Sequence, residues 1–512
     1  MTVLEAAIVA GYYATLLVLA IYGLHRYYLL HLFYRHRQAG PSPAARLFPL
    51  PPVTVQLPIY NERYVVERLI RSACALDYPA DRLEIQVLDD STDDTSRIAA
   101  DVIETMRRLG HDVAHLRRGT REGFKAGALA YGLARAKGEL VAVFDADFVP
   151  PASFLLDLVH HFSDPRVGMV RARWGHLNRE YSVLTRIQSI FLDGHFVIEH
   201  AARHRAGRFF NFNGTAGVWR RSCIESAGGW QSDTLTEDLD LSYRAQLLGW
   251  EFVFLPDVVA PAELPADNDA FKTQQHRWTL GSIQTGRKIL PRLLRARLPL
   301  GVKVEAFFHL TNNSAYALMV LLGILIVPAM IARRALGLDW LTYLDLPLFF
   351  LSTLSISTFY ISSQREARQD WLGCLLYLPF LMSLGIGLSL NNARAVCGAW
   401  SRKKMEFLRT PKHRLEGTDG DWSRSSYRGR GRRAWTAAEM LLGIYFTGAS
   451  AYSIIAGNEA MLPFFLLFQM GYLYTSFLSL AQALRRRLEP ALVFRLIRER
   501  QKKRLDADPG AA

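Results

Sequence analysis

ELVAVFDAD, residues 139–147, is the stretch that decides the fold class. Leu140, Val141, Ala142 and Val143 form an apolar run without alternation, and Asp145 and Asp147 follow with one residue between them. An unbroken short run reads as a strand buried on both faces. VTVQLP (residues 53–58) and EIQVLDD (residues 84–90) repeat the arrangement, ending in a turn or in acids. Between the first two, residues 62–76 carry Val65, Val66, Leu69, Ile70 and Ala73 at helical spacing. Strand–helix alternation predicts a mostly parallel sheet with helices on both faces. Ligands of such sheets sit at the carboxyl ends of the strands, so acids at those ends are candidate site residues.

Outward from this block the composition changes. The chain has 512 residues, 50% of them hydrophobic, and a formal net charge of +14. A polar, patterned block spans residues 52–303, with apolar runs on both sides. Arg26, Arg35 and Arg37, then Arg402, Lys403 and Lys404, then Arg485, Arg486 and Arg487 crowd next to those runs. That is the charge pattern of cytoplasmic loops, and it makes the lipid bilayer the expected partner, with no nucleic acid. The cysteines Cys74, Cys223, Cys374 and Cys397 form no C-x-x-C pair, so neither a zinc site nor a redox motif is expected. Residues 6–24 are uncharged over the length of one membrane helix. No basic residue precedes them and no small-residue cleavage site follows, so they read as an uncleaved anchor.

The expected organisation is a transmembrane helix over 1–30, a soluble domain over 41–282 and an amphipathic interface helix over 283–304. Transmembrane helices over 305–363, a helix over 370–401, a basic loop over 402–435, a transmembrane hairpin over 436–480 and a basic tail over 481–512 complete it. The soluble block, the loop and the tail all carry the charge of one side. An even number of crossings must then separate block from loop, yet three apolar runs lie between them. The run at 372–390, which holds Pro379, is expected to lie in the interface; the alternative is a third span with an external loop.

Four clusters carry candidate chemistry. Asp145 and Asp147 suit a hard cation, Mg²⁺ or Mn²⁺, whose shell substrate phosphates would complete. Asp89 and Asp90 suit a ribose or base edge, although an Asp-rich turn capping a helix has the same letters. In Thr236-Glu237-Asp238, Thr236 can cap a helix and the acids can favour its N-terminus, or Asp238 can serve as general base. In QQHRW (residues 274–278), Arg277 can stabilise a leaving diphosphate and Trp278 offers a flat face to a sugar. The plainer reading of that pair is an interfacial anchor. EFLRTPK (residues 406–412) offers Phe407, Thr410 and Lys412 as a loop over a phosphate-bearing substrate, or is a basic juxtamembrane turn.

Asp89/Asp90, Asp145-Ala-Asp147, Thr236-Glu237-Asp238 and Gln274-Gln-His-Arg277-Trp278, in this order and spacing, resemble the processive family 2 glycosyltransferases of the cellulose synthase superfamily. QVLDDSTD, the Lys-Ala-Gly of REGFKAGAL and QQHRW are most similar to the mannan-synthase-like and xyloglucan-glucan-synthase-like branches. The resemblance covers about residues 53–412. It implies a GT-A fold embedded in an all-α transmembrane bundle, and an inverting transfer of hexose from a nucleotide sugar to a glycan acceptor. UDP-glucose is the favoured donor and GDP-mannose its main rival. The resemblance places Tyr60, Glu62, Asp89 and Asp90 at the nucleotide and Lys125 at the diphosphate. Asp145 and Asp147 serve nucleotide and metal, and Asp238, within its Thr236-Glu237-Asp238 motif, serves as base. Gln274, Arg277 and Trp278 meet diphosphate and acceptor. EFLRTPK is similar to the family's gating loop, with Arg409 where that loop has Val. An interface helix before this loop, as in the family, agrees with the placement of 370–401. The expected setting is the plasma membrane with a cytoplasmic catalytic domain, and there is room for an accessory export partner. Competing readings are a non-processive glycolipid glycosyltransferase and a non-catalytic scaffold.

Overall fold

The computed structural model describes residues 3–38, 40–367, 369–401, 409–420, 422 and 433–507, the last stretch with its side chains over 434–484. Its soluble part is built on one seven-stranded sheet in the order β3-β2-β1-β4-β6-β5-β7. The strands are β1 (Val53–Ile59), β2 (Leu83–Asp89), β3 (Asp112–Arg117), β4 (Leu140–Val143), β5 (Val167–His176), β6 (Gly217–Arg220) and β7 (Glu251–Ala262). β3, β2, β1 and β4 pair in parallel, as do β5 and β7, while β6 runs antiparallel to both of its neighbours. The central strands are buried on both faces, which is why their sequences do not alternate. Where polar side chains occur inside, they pair across the ladder. Thr54 Oγ1 donates to Glu84 at 2.7 Å, and Gln56 Nε2 to the Gln86 side chain at 3.1 Å. Such pairing avoids the cost of stranded polar groups.

The deciding stretch differs from expectation in one respect. The β4 ladder stops at Val143, and Phe144–Asp147 leave the sheet. Phe144 N still bonds Gln56 O, but Asp145 N turns to Thr215 Oγ1 at 2.9 Å. The following loop therefore carries both carboxylates beyond the carboxyl end of β4, the central strand. The helix expected over 62–76 is shorter, Val66–Cys74. Asn61 takes a left-handed φ of 55°, and residues 62–65 make the turn that enters the helix.

Among the described residues, six helices are long and apolar enough to cross a membrane: Val3–Arg35, Leu300–Ala335, Asp339–Glu366, Trp371–Gly398, Ala434–Ile455 and Glu459–Leu484. The chain is a membrane protein by the length and hydropathy of these helices. The fourth, expected in the interface, meets the same criterion; it is two segments, Trp371–Gly387 and Ser389–Gly398. The separate amphipathic helix expected over 283–304 is not a separate element. QQHRW lies inside a continuous helix, Asn268–Arg295, started by the Asp267 side chain accepting from Asp269 N.

Polar contacts join sheet domain and bundle. Asp193 accepts from Arg179 Nη1 and from Gln364 Nε2, each at 2.9 Å, and meets His176 at 3.0 Å. Its helix, Val183–Asp193, begins with a capping box between Ser182 and Thr185. Buried Lys272 pairs with Glu439 at 2.6 Å, tying the QQHRW helix to Arg433–Ile455.

Candidate active site

The strand ends open onto a cavity of about 560 Å³. Tyr60, Glu62, Asp90, Lys125, Asp145, Asp147, Thr236, Glu237, Asp238, Gln274, Arg277, Trp278, Thr410 and Lys412 all line it. The structure thus brings together nearly every residue singled out in the sequence. The exceptions are Asp89, which does not line the cavity, and Phe407, which lies outside the described residues.

Asp89 and Asp90 part because one belongs to the ladder and the other follows it. Asp89 closes β2 and is buried; its carboxylate accepts from Ser91 N at 2.8 Å and meets His115 at 2.9 Å. Burial alone would raise its pKa, but the hydrogen bonds from His115, Ser96 and Ser91 prevail and hold it down at about 2. Asp90 emerges at the cavity and is paired with Arg118. The structure therefore assigns Asp89 a place in the framework and leaves Asp90 as the acid that faces the cavity.

The wall formed by β1, β2 and β4 is a set of acids already facing cations. Lys125 Nζ lies 2.5 Å from Asp145 Oδ1 and donates to Gly214 O at 2.9 Å. Lys412 Nζ lies 2.5 Å from Asp147 Oδ2. Arg409 Nη1 meets Glu62 Oε2 at 2.6 Å. Burial raises the Glu62 pKa to about 7, against the pull of Arg409. The Arg409 that departs from the family's Val therefore has a partner in this chain. The segment 409–420 is docked on the sheet domain by more than these pairs. Glu263 accepts from the backbone N–H groups of His413 and Arg414 at 2.8 and 2.9 Å, and Arg68 meets Glu416 at 2.6 Å. Thr410 Oγ1 is buried and makes no hydrogen bond with the described residues.

The opposite wall is different. Thr236 stands at the N-cap of the helix Glu237–Leu247 but does not cap it with its side chain; Thr236 Oγ1 meets Thr285 Oγ1 at 3.1 Å instead. Glu237 and Asp238 begin the helix side by side, Glu237 buried and Asp238 half-buried. Burial raises the Glu237 pKa to about 7, with the neighbouring Asp238 adding to the rise. Burial also raises that of Asp238, against Lys125 and the N–H groups of the helix start. Arg277, one helix away, faces both acids, and burial lowers its pKa. Trp278 lies 6.5 Å from Trp174, ring to ring, so two indoles share this wall. The cavity then continues between the apolar helices, past Leu19, Leu322, Phe349 and Phe468.

Sequence reasoning missed several lining residues. Arg121 stacks over the Tyr60 ring at 3.4 Å from its centroid. His195 and Glu199 pair at 2.9 Å on a π-helix, Gly194–His200, a form that recurs at functional sites. Asn213 and Gly214 form a left-handed turn, φ 58° and 81°, and the Asn-Gly dipeptide was its legible signal. A metal is a matter of donor chemistry. Asp145 and Asp147 provide carboxylates open to the cavity, but the described residues hold no group of three or more His, Cys, Asp or Glu suited to an ion. The set fits a hard cation held jointly with a diphosphate, not a closed protein cage.

The description "Glycosyltransferase like family 2" matches residues 51–281. Glucomannan 4-beta-mannosyltransferase 1 of Cyamopsis tetragonoloba is 33% identical over 436 residues, which are 83% of this chain and 81% of that protein. Probable glucomannan 4-beta-mannosyltransferase 3 of Oryza sativa subsp. japonica is 41% identical over 287 residues, 54% of this chain and 52% of that protein. Glucomannan 4-beta-mannosyltransferase 2 of Arabidopsis thaliana is 43% identical over 252 residues, 48% of this chain and 47% of that protein. The matches thus span about half the length of the rice and Arabidopsis relatives. Sheet, strand-end acids and bundle define a GT-A glycosyltransferase carried on apolar helices. The chain belongs to the family 2 glycosyltransferases of the cellulose synthase superfamily, in the mannan-synthase branch.

Proposed function

We propose that the protein is a membrane-embedded, inverting polysaccharide synthase that adds hexose units from a nucleotide sugar to a growing β-glycan. One observation carries this reading. A single cavity holds the strand-end acids and cations, the adjacent Glu237 and Asp238, and Trp278, and continues between the apolar helices. Donor, acceptor and a path into the bundle share one space. The names of the relatives favour mannose, and hence GDP-mannose as donor, over the UDP-glucose that the sequence first suggested.

In the proposed reaction Tyr60, Glu62 and Asp90 take the nucleotide, while Lys125, Arg277 and Lys412 take the diphosphate. Asp145 and Asp147 would hold Mg²⁺ or Mn²⁺, which when bound neutralises charge on the leaving diphosphate. Trp278 and Gln274 orient the acceptor end. Asp238 takes the proton from the acceptor hydroxyl as its oxygen bonds to the sugar's anomeric carbon. The bond from that carbon to the diphosphate breaks on the opposite face, so configuration inverts. A raised pKa suits a carboxylate that must hold a proton near neutrality. The sheet domain faces the cytoplasm in this reading, where nucleotide sugars are, and the product leaves between the helices.

The test is a donor screen on membranes holding the full chain, with labelled GDP-mannose and UDP-glucose and linkage analysis of the product. High polymer with β-linkages is expected. A lipid carrying one sugar, or no transfer from any nucleotide sugar, would overturn the reading.

A further inference from the structure

Arg171 sits on β5 behind the acceptor wall, and nothing in the reaction above uses it. Its side chain is 0% exposed. Burial pulls its pKa down to about 9, and Asp238 opposes the fall. Nη1 donates to Asn211 O at 3.1 Å and to Asn213 Oδ1. The guanidinium lies over the Phe196 ring, 4.9 Å from its centroid. Nε and Nη2 are buried and make no hydrogen bond with the described residues. A buried charge in this state is costly and persists where the surrounding structure uses it.

What Arg171 holds is a strained turn. Asn213, Gly214 and Ala216 have φ of 58°, 81° and 57°, of which only the glycine is at ease. This turn touches both walls. Gly214 O accepts from Lys125, and a Cβ on Gly214 would lie 3.7 Å from Asp238 Oδ2. Phe212 N donates to Ser242 Oγ at 3.0 Å, and Ser242 Oγ donates to Asp238 O at 2.6 Å. The turn that Arg171 pins is therefore bonded to the segment that carries Asp238.

We propose that Arg171 is a positioning residue for the transfer reaction: it fixes the turn at 211–216 against Asp238 and stands behind that carboxylate as a buried positive charge. The proposal rests on Asp238 being the base. Other charged groups face the same carboxylate. Lys125 comes from the helix Phe124–Leu133, Arg277 from Asn268–Arg295, and Glu237 lies beside it. His200 faces Arg171 from the π-helix, where burial keeps it neutral, and His195 Nε2 meets Asn213 Nδ2 at 3.1 Å. In the proposed reaction Lys125 and Arg277 serve the diphosphate. Arg171 lies out of the cavity and keeps its charge for Asp238.

The experiment compares rate–pH profiles of wild type, Arg171→Gln, Arg171→Lys and Asn213→Ala, full chain in membranes, with donor saturating. Arg171→Gln is expected to lose about tenfold in kcat with donor KM little changed, and to move the acid limb up by about half a pH unit or more. Arg171→Lys keeps the charge, so its limb stays at the wild-type position while its rate falls. Asn213→Ala frees the turn without removing charge and should lose rate with an unmoved limb. An unmoved limb in Arg171→Gln, or a displaced one in Arg171→Lys, would overturn the proposal. Should Arg171→Gln not accumulate as folded protein, the limb of Arg171→Lys and that of Asn213→Ala decide, either displacement counting against it. Full turnover by Asp238→Asn would instead sink the functional reading beneath it.

Discussion

The two walls of the cavity use carboxylates in opposite ways. On the β1–β2–β4 wall each acid meets a cation: Asp90 with Arg118, Asp145 with Lys125, Asp147 with Lys412, Glu62 with Arg409. On the acceptor wall Glu237 and Asp238 lie side by side, and burial raises both. Pairing alone does not fix ionisation: Glu62, although it meets Arg409, is raised by burial to about 7, as Glu237 is. The contrast is one of partners: ion pairs on one wall, two adjacent carboxylates on the other.

The sharpest way to break this contrast is Asp238→Asn. General-base catalysis supplies about a hundred- to ten-thousandfold, so transfer should fall by about a thousandfold while labelled donor still binds. Equal loss of binding would mean that Asp238 belongs to the donor wall. Next in size is removal of the divalent ion. Chelator should cut transfer by about a hundredfold, restored by added Mg²⁺ or Mn²⁺, if Asp145 and Asp147 hold a cation against the diphosphate. Activity undiminished in excess chelator would leave the leaving diphosphate to side-chain cations such as Lys125 and Lys412. Trp278→Ala should cost about tenfold in kcat/KM for the acceptor, with donor affinity retained, because an aromatic face contributes on the order of 1 kcal/mol beyond its area. A donor KM that rises instead would move Trp278 across the cavity.

The smallest effect is one of pH. Only the ionised base accepts a proton, and both acids of the pair are raised, Glu237 to about 7. The rate should therefore hold at alkaline pH and fall on acidification at a higher pH than an ordinary aspartate, at about 4, would give. Asp89, held at about 2, contributes nothing to that limb. A profile flat from pH 8 to pH 5 would contradict a raised pKa at Asp238.

The sequence made the strand ends, the motif order and the apolar runs legible because each is a local pattern. A doubly buried strand must be apolar, and a span must be long and uncharged. It did not separate Asp89 from Asp90. That depends on where the β2 ladder ends, since one residue turns a side chain from framework to cavity. Thr236 reads as a helix cap by position, yet its hydroxyl is taken by Thr285, a residue of another helix.

By itself, then, the sequence determined that a mostly parallel sheet presents acids at its strand ends next to a membrane bundle. Tertiary structure alone decided which acids meet cations and which are left to share burial. Lys125, Lys412 and Arg409 reach their partners across 20, 265 and 347 positions of chain, the last from 409 minus 62. Arg171 reads only as a polar letter within a strand until Asn213 and Asp238 are folded against it. Local patterns dictate which elements form; ionisation and charge pairing depend on neighbours that only packing supplies.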